Sequence, residues 1–226
     1  MTLQALSQDT ITLDDTRTAI DAIARGELVV VVDDADRENE GDLIIAAEHA
    51  DAAAVNFMIT HGRGLVCAPI TAAKAAELAL PPMVDRNQDP HGTAFTVSVD
   101  GTPATGVTTG ISAQDRARTI ELLLHGDPAD LARPGHIFPL TAKDGGVIER
   151  PGHTEAAIDL ARHAGLAPAG VIVEIINPDG TMARLPQLAT FARRHGLVLT
   201  SIEQLREYAA AHDVPAPSAA LAGAIR

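Results

Sequence analysis

Six carboxylate side chains crowd into ten residues, in the segment DDADRENEGD at 33–42. They are Asp33, Asp34, Asp36, Glu38, Glu40 and Asp42. Arg37 is the only cation among them. Like charges this close raise one another's pKa unless a cation offsets them. A solvated acidic loop is the plainer interpretation, because surface runs of charge are common. The alternative is a site for a hard divalent cation, which prefers carboxylate oxygens as ligands.

The tetrapeptide RPGH occurs twice, at 133–136 and at 150–153. Each copy ends in a histidine, His136 or His153, that follows a Pro-Gly pair, and a turn of this kind can hold an imidazole in the open. A lone loop histidine is usually a solvated surface residue. Two histidines in matched settings, together with the nearby carboxylates, predict a metal site or an acid–base site.

The second RPGH copy also leads into a predicted helix at 154–165. Free backbone N–H groups at a helix start, with the Thr154 hydroxyl and the Arg150 cation beside them, are typical of a phosphate site. Plain capping of the helix by Thr154 explains the same residues. From this segment alone, capping is the preferred interpretation.

Glu174 lies in the apolar run GVIVEII at 170–176. An ionised carboxylate buried in such a strand must meet a cation, a metal-bound group or a proton. A structural salt bridge and a catalytic acid or base with a perturbed pKa both satisfy this requirement. The single cysteine, Cys67, is interpreted as a packed small hydrophobe.

The elements that must position these residues follow from the apolar pattern. Val29–Val32 predicts a buried strand directly before the acidic segment, and 43–46 predicts another directly after it. Further strands are predicted at 95–100, 170–176 and 197–201, and 137–149 predicts a strand, a GG turn and a short strand. Helices are predicted at 14–25, 51–61, 72–79, 112–124, 154–165, 186–196 and 202–211.

Strands and helices mix without a regular βαβ alternation. This predicts an α+β, single-domain mixed α/β layered fold rather than a Rossmann fold or a barrel. The expected domain covers 14–211, after an N-terminal extension at 1–13 and before a flexible tail at 212–226.

Composition narrows the class of protein. The 226 residues are 46% hydrophobic and carry a net charge of −13, which argues against nucleic acid as a partner. No apolar run approaches the roughly 18 residues that span a bilayer, so no membrane partner is expected. One cysteine and no signal-peptide pattern at the N-terminus predict a cytoplasmic protein.

Several segments together resemble the 3,4-dihydroxy-2-butanone 4-phosphate synthase family of riboflavin biosynthesis. The likeness covers 14–208 and is carried by DDADRENEGDLIIAAE, HGRGLVCAPIT, HGTAFTVSVD, TGVTTGISAQDRARTI, RPGHIFPLTAKDGGVIERPGHTEAAIDL and AGVIVEIINPDGTMAR. The resemblance implies the α+β fold of that family. It also implies a homodimeric lyase that uses Mg²⁺ or Mn²⁺ to convert D-ribulose 5-phosphate into L-3,4-dihydroxy-2-butanone 4-phosphate and formate.

The resemblance implies a role for each matching residue. The expected metal ligands are Glu38 and His153, and the expected catalytic residues are His136 and Glu174. The expected substrate contacts are Arg37, Glu38, Asp42, Arg150, Pro151, Gly152, His153, Thr154 and Glu174. Among these, Asp42 contacts the sugar hydroxyls, and the stretch from Arg150 to Thr154 includes the contacts to phosphate.

Two departures from the family pattern and one alternative remain. Pro151 stands where many members have glycine, which removes one backbone N–H from the phosphate region, and His91 stands where a tyrosine is common. The alternative is a non-catalytic homologue that binds sugar phosphate or metal. A carboxylate inside an apolar strand has no use in a binding module, so His136 and Glu174 favour the enzyme. With one cysteine, the chain lacks the zinc site of the second domain that follows in many members, and a monofunctional form is expected.

Overall fold

The computed structural model of the chain describes residues 11–212. The predicted N-terminal extension at 1–13 and the predicted flexible tail at 212–226 lie mostly outside these residues.

Within residues 11–212, seven strands form one mixed sheet. The strands are β1 (Val29–Val32), β2 (Gly41–Ala46), β3 (Cys67–Ile70), β4 (Val99–Gly101), β5 (Leu131–Thr141), β6 (Gly170–Glu174) and β7 (Val198–Ser201). Their order across the sheet is β4-β5-β3-β6-β2-β1-β7. The pairs β1/β7 and β3/β5 are parallel, and the other neighbours are antiparallel.

The helices found in the described part of the chain cover both faces of this sheet. They are α1 (Thr16–Ala24), α2 (Ala52–Phe57), α3 (Ala72–Glu77), α4 (Ala113–His125), α5 (Gly146–Glu149), α6 (His153–His163), α7 (Leu185–His195) and α8 (Ile202–Ala211). Short 3₁₀ turns lie at Ala47–His49, Pro103–Thr105 and Pro128–Asp130, and a π-helical turn at Met58–Gly62 continues α2.

The valine run of β1 shows why this strand is apolar on both faces. Successive side chains of a strand point to opposite faces. Val30 and Val32 pack into the core with α2, α4 and α7, whereas Val29 and Val31 pack into the core with α1, α6 and α8. A sheet covered on both faces needs continuous apolar strands, and the predicted mixed α/β layered fold is confirmed.

Two predicted strands are wrong in part. The residues after the GG turn form α5 instead of a strand, because the Asp159 carboxylate of α6 accepts a hydrogen bond from the Val147 N–H at 2.8 Å and binds this turn to the neighbouring helix. Of the residues predicted as a strand at 95–100, Val99 and Asp100 lie in β4, and Phe95 and Thr96 form isolated β-bridges.

Among the helices of 11–212, none combines the length and the hydropathy that a membrane crossing requires.

Candidate active site

The ends of two neighbouring strands bring two carboxylates together. Asp42, near the start of β2, pairs directly with Glu174, the last residue of β6. Cβ atoms in such a pair are about 5 Å apart, so two charges there repel. Burial raises the pKa of Asp42 well above its ordinary range, and the charge of Glu174 raises it further. Burial also raises the pKa of Glu174, so this pair retains a proton more readily than exposed carboxylates do.

Glu174 is held by backbone rather than by a cation. Its Oε2 accepts a hydrogen bond from the Leu65 N–H at 2.8 Å. A Cβ at Gly64 would lie 2.2 Å from the same oxygen, so glycine is what allows this approach. Over the residues that the structure describes, no arginine, lysine or histidine forms an ion pair with Glu174. Of the two interpretations of this carboxylate, the geometry favours the perturbed acid or base over the structural salt bridge.

The acidic segment is an ordered loop built around Asp33. The side chain of Asp33 is fully buried. Its two oxygens accept the backbone N–H groups of Glu38 at 3.0 Å and Glu40 at 2.8 Å, and one also accepts the Arg37 guanidinium at 3.0 Å. Arg184 donates to the Glu38 carbonyl at 2.9 Å from outside the loop. The solvated-loop interpretation therefore holds for the exposed Asp34 and Asp36 but not for Asp33 and Asp42, whose carboxylates are buried.

The hydrogen bond of His153 fixes its tautomer. Its Nε2 lies 3.1 Å from the Val31 carbonyl oxygen, which can only accept, so Nε2 carries the proton. The lone pair of Nδ1 then points toward two carboxylates, at 3.9 Å from an oxygen of Glu38 and 3.9 Å from an oxygen of Asp42. Burial lowers the pKa of His153, which keeps the ring neutral.

This arrangement has the donor set of a divalent-cation site. Ligand atoms of Asp33, Glu38 and His153 lie within 4.8 Å of one another. The buried Oδ1 of Asp42 accepts no hydrogen bond from any residue of the described part. A cation placed between the His153 Nδ1 lone pair and the carboxylate oxygens would be bound by both. A ligand set made mostly of oxygen atoms suits Mg²⁺ or Mn²⁺. Both oxygens of Asp33 already accept hydrogen bonds within the loop, whereas among the described residues Glu38 accepts only at Oε2, from Arg37, so Glu38 and His153 are the better candidate ligands.

At the other end of the site, Arg150 is held from three sides. It donates to Glu155 at 2.6 Å, to the His91 carbonyl at 3.1 Å and to the Thr93 hydroxyl at 3.1 Å. Glu155 is only 1% exposed, so it is a fixed partner. The guanidinium is thus pre-positioned before any ligand binds.

Two guanidinium groups converge where α6 begins. Gly152 is the N-cap of α6 and, among the described residues, no side chain caps the helix. The capping role considered for Thr154 is therefore wrong, and the first N–H groups stay available. A Cβ on Gly152 would lie 2.4 Å from Arg150 Nη1 and 3.1 Å from Arg37 Nη2. A helix start flanked by two arginines is a candidate site for phosphate, and each guanidinium also pairs with a carboxylate, Arg150 with Glu155 and Arg37 with Asp33.

A cavity of about 210 Å³, here called the acidic cavity, joins the two ends of the site. Seven of the predicted site residues line it: Arg37, Glu38, Asp42, Arg150, His153, Thr154 and Glu174. Pro151 is exposed, and Gly152 lies behind the arginines rather than in the lining.

The lining also includes residues that the sequence did not assign to the site. They are Glu40, Cys67, Asp89, Thr93, Phe95, Leu140 and Ile172. Thr93 belongs to the segment HGTAF that carries the family resemblance, so a signal for it existed. Asp89 lies in a polar loop with no such signal. Burial raises the pKa of Cys67 well above its ordinary range, with Glu174 and Asp42 adding to the shift, and its thiol stays protonated.

His136 lies outside the acidic cavity. It is exposed on β5, where its Nδ1 lies 2.7 Å from an oxygen of Asp100 and its backbone N–H donates to the other oxygen at 2.8 Å. Leu140, which lines the cavity, follows four residues later, or about 13 Å along an extended strand. The expectation of matched settings is wrong, because one histidine is on a strand and the other begins a helix.

Comparison with known proteins identifies a single family. The family model described as 3,4-dihydroxy-2-butanone 4-phosphate synthase matches residues 17–208. "Riboflavin biosynthesis protein RibBA" of Synechocystis sp. is 59% identical over 201 residues, which cover 86% of this chain and 36% of the relative. "3,4-dihydroxy-2-butanone 4-phosphate synthase" of Photobacterium phosphoreum is 52% identical over 200 residues, covering 88% and 54%. The chain thus spans roughly a third to a half of these curated relatives.

Solved structures share the fold. One crystal structure of 3,4-dihydroxy-2-butanone 4-phosphate synthase in complex with two magnesium ions is 46% identical, with a TM-score of 0.82, over 87% of this chain and 96% of that one. RibBX of A. baumannii, a two-domain synthase, is 48% identical with a TM-score of 0.82, over 86% and 57%.

Proposed function

The chain belongs to the 3,4-dihydroxy-2-butanone 4-phosphate synthase family, and from that premise we propose that it converts D-ribulose 5-phosphate into L-3,4-dihydroxy-2-butanone 4-phosphate and formate. The observation that carries the proposal is the carboxylate pair Asp42 and Glu174, both with raised pKa values, beside the Glu38–His153 pair. Buried carboxylates with raised pKa values are suited to proton transfer. A module that only binds sugar phosphate has no use for them, so the non-catalytic alternative is not favoured.

The substrate phosphate binds at the start of α6. Arg150, Arg37 and the free N–H groups after Gly152 supply donors there, while Pro151 supplies none because its nitrogen has no hydrogen. The hydroxyl-bearing carbons then extend toward Asp42 and Glu174, since the acidic cavity joins these two ends. Phosphate binding is remote from the reacting carbons and fixes their position.

Glu38 and His153 are the proposed ligands of a divalent cation. A cation bound there supplies positive charge that stabilises the negative charge developing on the sugar oxygens. Mg²⁺ prefers oxygen ligands such as the Glu38 carboxylate, whereas the nitrogen ligand of His153 shifts the relative preference toward Mn²⁺.

Proton transfer falls to the carboxylate pair. The reaction removes a proton beside the ketone, loses water, rearranges the carbon skeleton and releases formate. Since the two products together have the composition of the substrate, the water that leaves is taken up again. Glu174, with its Oε2 fixed by the Leu65 N–H, acts as the base, and Asp42 in its protonated form acts as the acid.

We also propose a homodimer in which His136 of the partner subunit completes each site. Within one chain His136 is exposed, although Asp100 holds both its ring and its backbone. Ile111, which is 50% exposed, follows Gly110, and Gly110 packs against the same Asp100 carboxylate. An oriented histidine beside an exposed apolar side chain is suited to a surface that meets a second copy. A cytoplasmic location stays a prediction from the sequence.

The test is formate release from D-ribulose 5-phosphate by the purified protein. We expect formate with Mg²⁺, none with excess chelator, and recovery when Mg²⁺ or Mn²⁺ is restored. Full formate production in the presence of excess chelator would show that the reaction does not need a divalent cation. If the folded protein releases no formate when Mg²⁺ is supplied, the alternative of a non-catalytic homologue is supported.

A further inference from the structure

A second cavity is lined by the residues that directly follow Glu174. Its volume is about 490 Å³, and it is formed by the π-helical turn, the residues after β6 and helix α7. Its polar lining consists of His61, Arg63, Asn177, Gln187, Thr190, Arg194 and His195. It shares no lining residue with the acidic cavity. We call it the basic cavity.

The charge of the basic cavity is opposite to that of the protein. The chain carries a net charge of −13, yet no carboxylate lines this cavity. Over residues 11–212, neither Arg63 nor Arg194 forms an ion pair. Two arginines without counter-ions beside one concave surface attract an anion, and guanidinium geometry favours phosphate.

Aromatic rings form the wall beside these arginines. The His195 ring lies 4.5 Å from Phe191, 4.7 Å from His61 and 5.2 Å from Phe57, centroid to centroid. Burial lowers the pKa of His195, and the neighbouring His61 and Arg194 lower it further, so the ring is neutral. Partly exposed rings in a cluster offer a surface on which another planar ring can stack.

The backbone that presents Arg63 is unusual. Arg63 has a φ of 74°, in the left-handed region that favours glycine. Its N–H donates to the Met58 carbonyl at 3.2 Å, and the Ile176 N–H donates to the Gly62 carbonyl at 2.9 Å, which fix the conformation. π-Helical turns and left-handed non-glycine residues occur often at functional sites.

We propose that the basic cavity binds a phosphorylated heteroaromatic compound of about the size of a nucleoside monophosphate. Arg63 and Arg194 contact the phosphate, and the ring stacks on the His195–Phe191 wall. The volume lies within the roughly 300–1,000 Å³ of small-molecule sites. This site is separate from the proposed catalysis and does not depend on it.

Isothermal titration calorimetry of the full chain tests the proposal with AMP, adenosine and inorganic phosphate as probes. AMP carries both recognised groups, whereas adenosine lacks the phosphate and inorganic phosphate lacks the ring. We expect one AMP per chain, bound at least about tenfold more tightly than either partial probe. Absence of saturable AMP binding, or AMP binding no tighter than inorganic phosphate, overturns the proposal.

Matched variants locate the binding. Arg194→Gln should weaken AMP about tenfold, whereas Arg193→Gln, the same charge change one residue earlier on α7, should leave it within about twofold. Arg63→Asn is a second variant that keeps the left-handed backbone, because asparagine tolerates that region. Arg150→Ala, at the acidic cavity, should keep AMP binding. Equal losses in the Arg193 and Arg194 variants, or loss in Arg150→Ala, place AMP elsewhere and overturn the assignment.

Discussion

Gly152→Ala tests whether the two arginines bind phosphate at the start of α6. Gly152 has a φ of −120° and a ψ of 162°, an extended conformation that alanine adopts without strain, so the fold should persist. The new Cβ would lie 2.4 Å from Arg150 Nη1, whereas ordinary contacts begin at 3.4 Å. The guanidinium must therefore move by about 1.0 Å (3.4 − 2.4).

That displacement should weaken substrate binding substantially. Arg150 is fixed by Glu155, Thr93 and the His91 carbonyl, so moving it breaks at least one of these hydrogen bonds. A misplacement of 1 Å in a positioning group can cost on the order of 100-fold. We expect KM for D-ribulose 5-phosphate to rise by about 10- to 100-fold. We expect kcat to fall less, because phosphate is bound equally in the ground and transition states.

Steady-state formate kinetics measures this effect, and a double-mutant cycle assigns it. Pro151→Ala is the matched control, because it adds no carbon near either arginine; since it restores one backbone N–H to the phosphate region, its KM should stay equal or fall. In an Arg150→Ala background, Gly152→Ala should add almost nothing, since the crowded group is gone. An unchanged KM in a folded Gly152→Ala protein, or full additivity with Arg150→Ala, refutes the reasoning.

The remaining predictions concern the carboxylate pair, the histidines and the dimer. Asp42→Asn should abolish formate release yet raise the thermal stability of the metal-free protein near neutral pH, by on the order of 1 kcal/mol, measured by thermal melts. Because the folded-state pKa of Asp42 is raised, its destabilisation grows as pH rises through and above the ordinary value of 3.8, and the advantage of Asn should vanish below that pH. In metal titrations of residual activity, His153→Asn should raise the cation concentration for half-maximal rate, while His136→Asn should lower kcat with the midpoint unchanged. Mixing the impaired His136→Asn protein with the Glu174→Gln protein under subunit exchange should raise activity to about a quarter of the wild-type value, since half of the dimers then hold one intact site.

Each of these outcomes has a clear contrary. Equal stability of Asp42→Asn and wild type at neutral pH would mean that the carboxylate pair carries no repulsion. Identical midpoint shifts in both histidine variants would place His136 at the cation. Mixtures that gain no activity after verified exchange would confine each site to one subunit.

Much of the fold was predictable because local pattern and tertiary packing agree. The four valines of β1 predict a buried strand, and the structure buries them on both faces. Ser112 caps α4, as expected of a polar residue directly before an amphipathic helix.

The first RPGH copy shows where local pattern fails. Its Pro-Gly pair predicts a turn, but the segment is part of β5. A Cβ on Gly135 would lie 2.0 Å from the backbone of Val99, so this glycine serves close backbone packing against β4. The Asp100 carboxylate then holds the His136 N–H, a contact between residues 36 positions apart. Such pairing is invisible in a local window.

The candidate site was predictable in its residues more than in its organisation. Seven predicted residues line the acidic cavity, because the acidic loop and the α6 start meet at the ends of adjacent strands. The sequence did not show that Asp33 folds the acidic loop through the Glu38 and Glu40 N–H groups. Asp89 was missed as well, because its loop reaches the cavity only through tertiary structure.

Formate release by Glu174→Gln tests the central claim most directly. The amide is nearly isosteric, and its side chain can still accept the Leu65 N–H, so the fold and the affinity for cation should persist while proton transfer is lost. We expect one formate per D-ribulose 5-phosphate consumed by the wild type with Mg²⁺. A Glu174→Gln protein with a wild-type melting temperature should release no detectable formate. Formate at the wild-type rate from that folded variant would show that Glu174 is not the base.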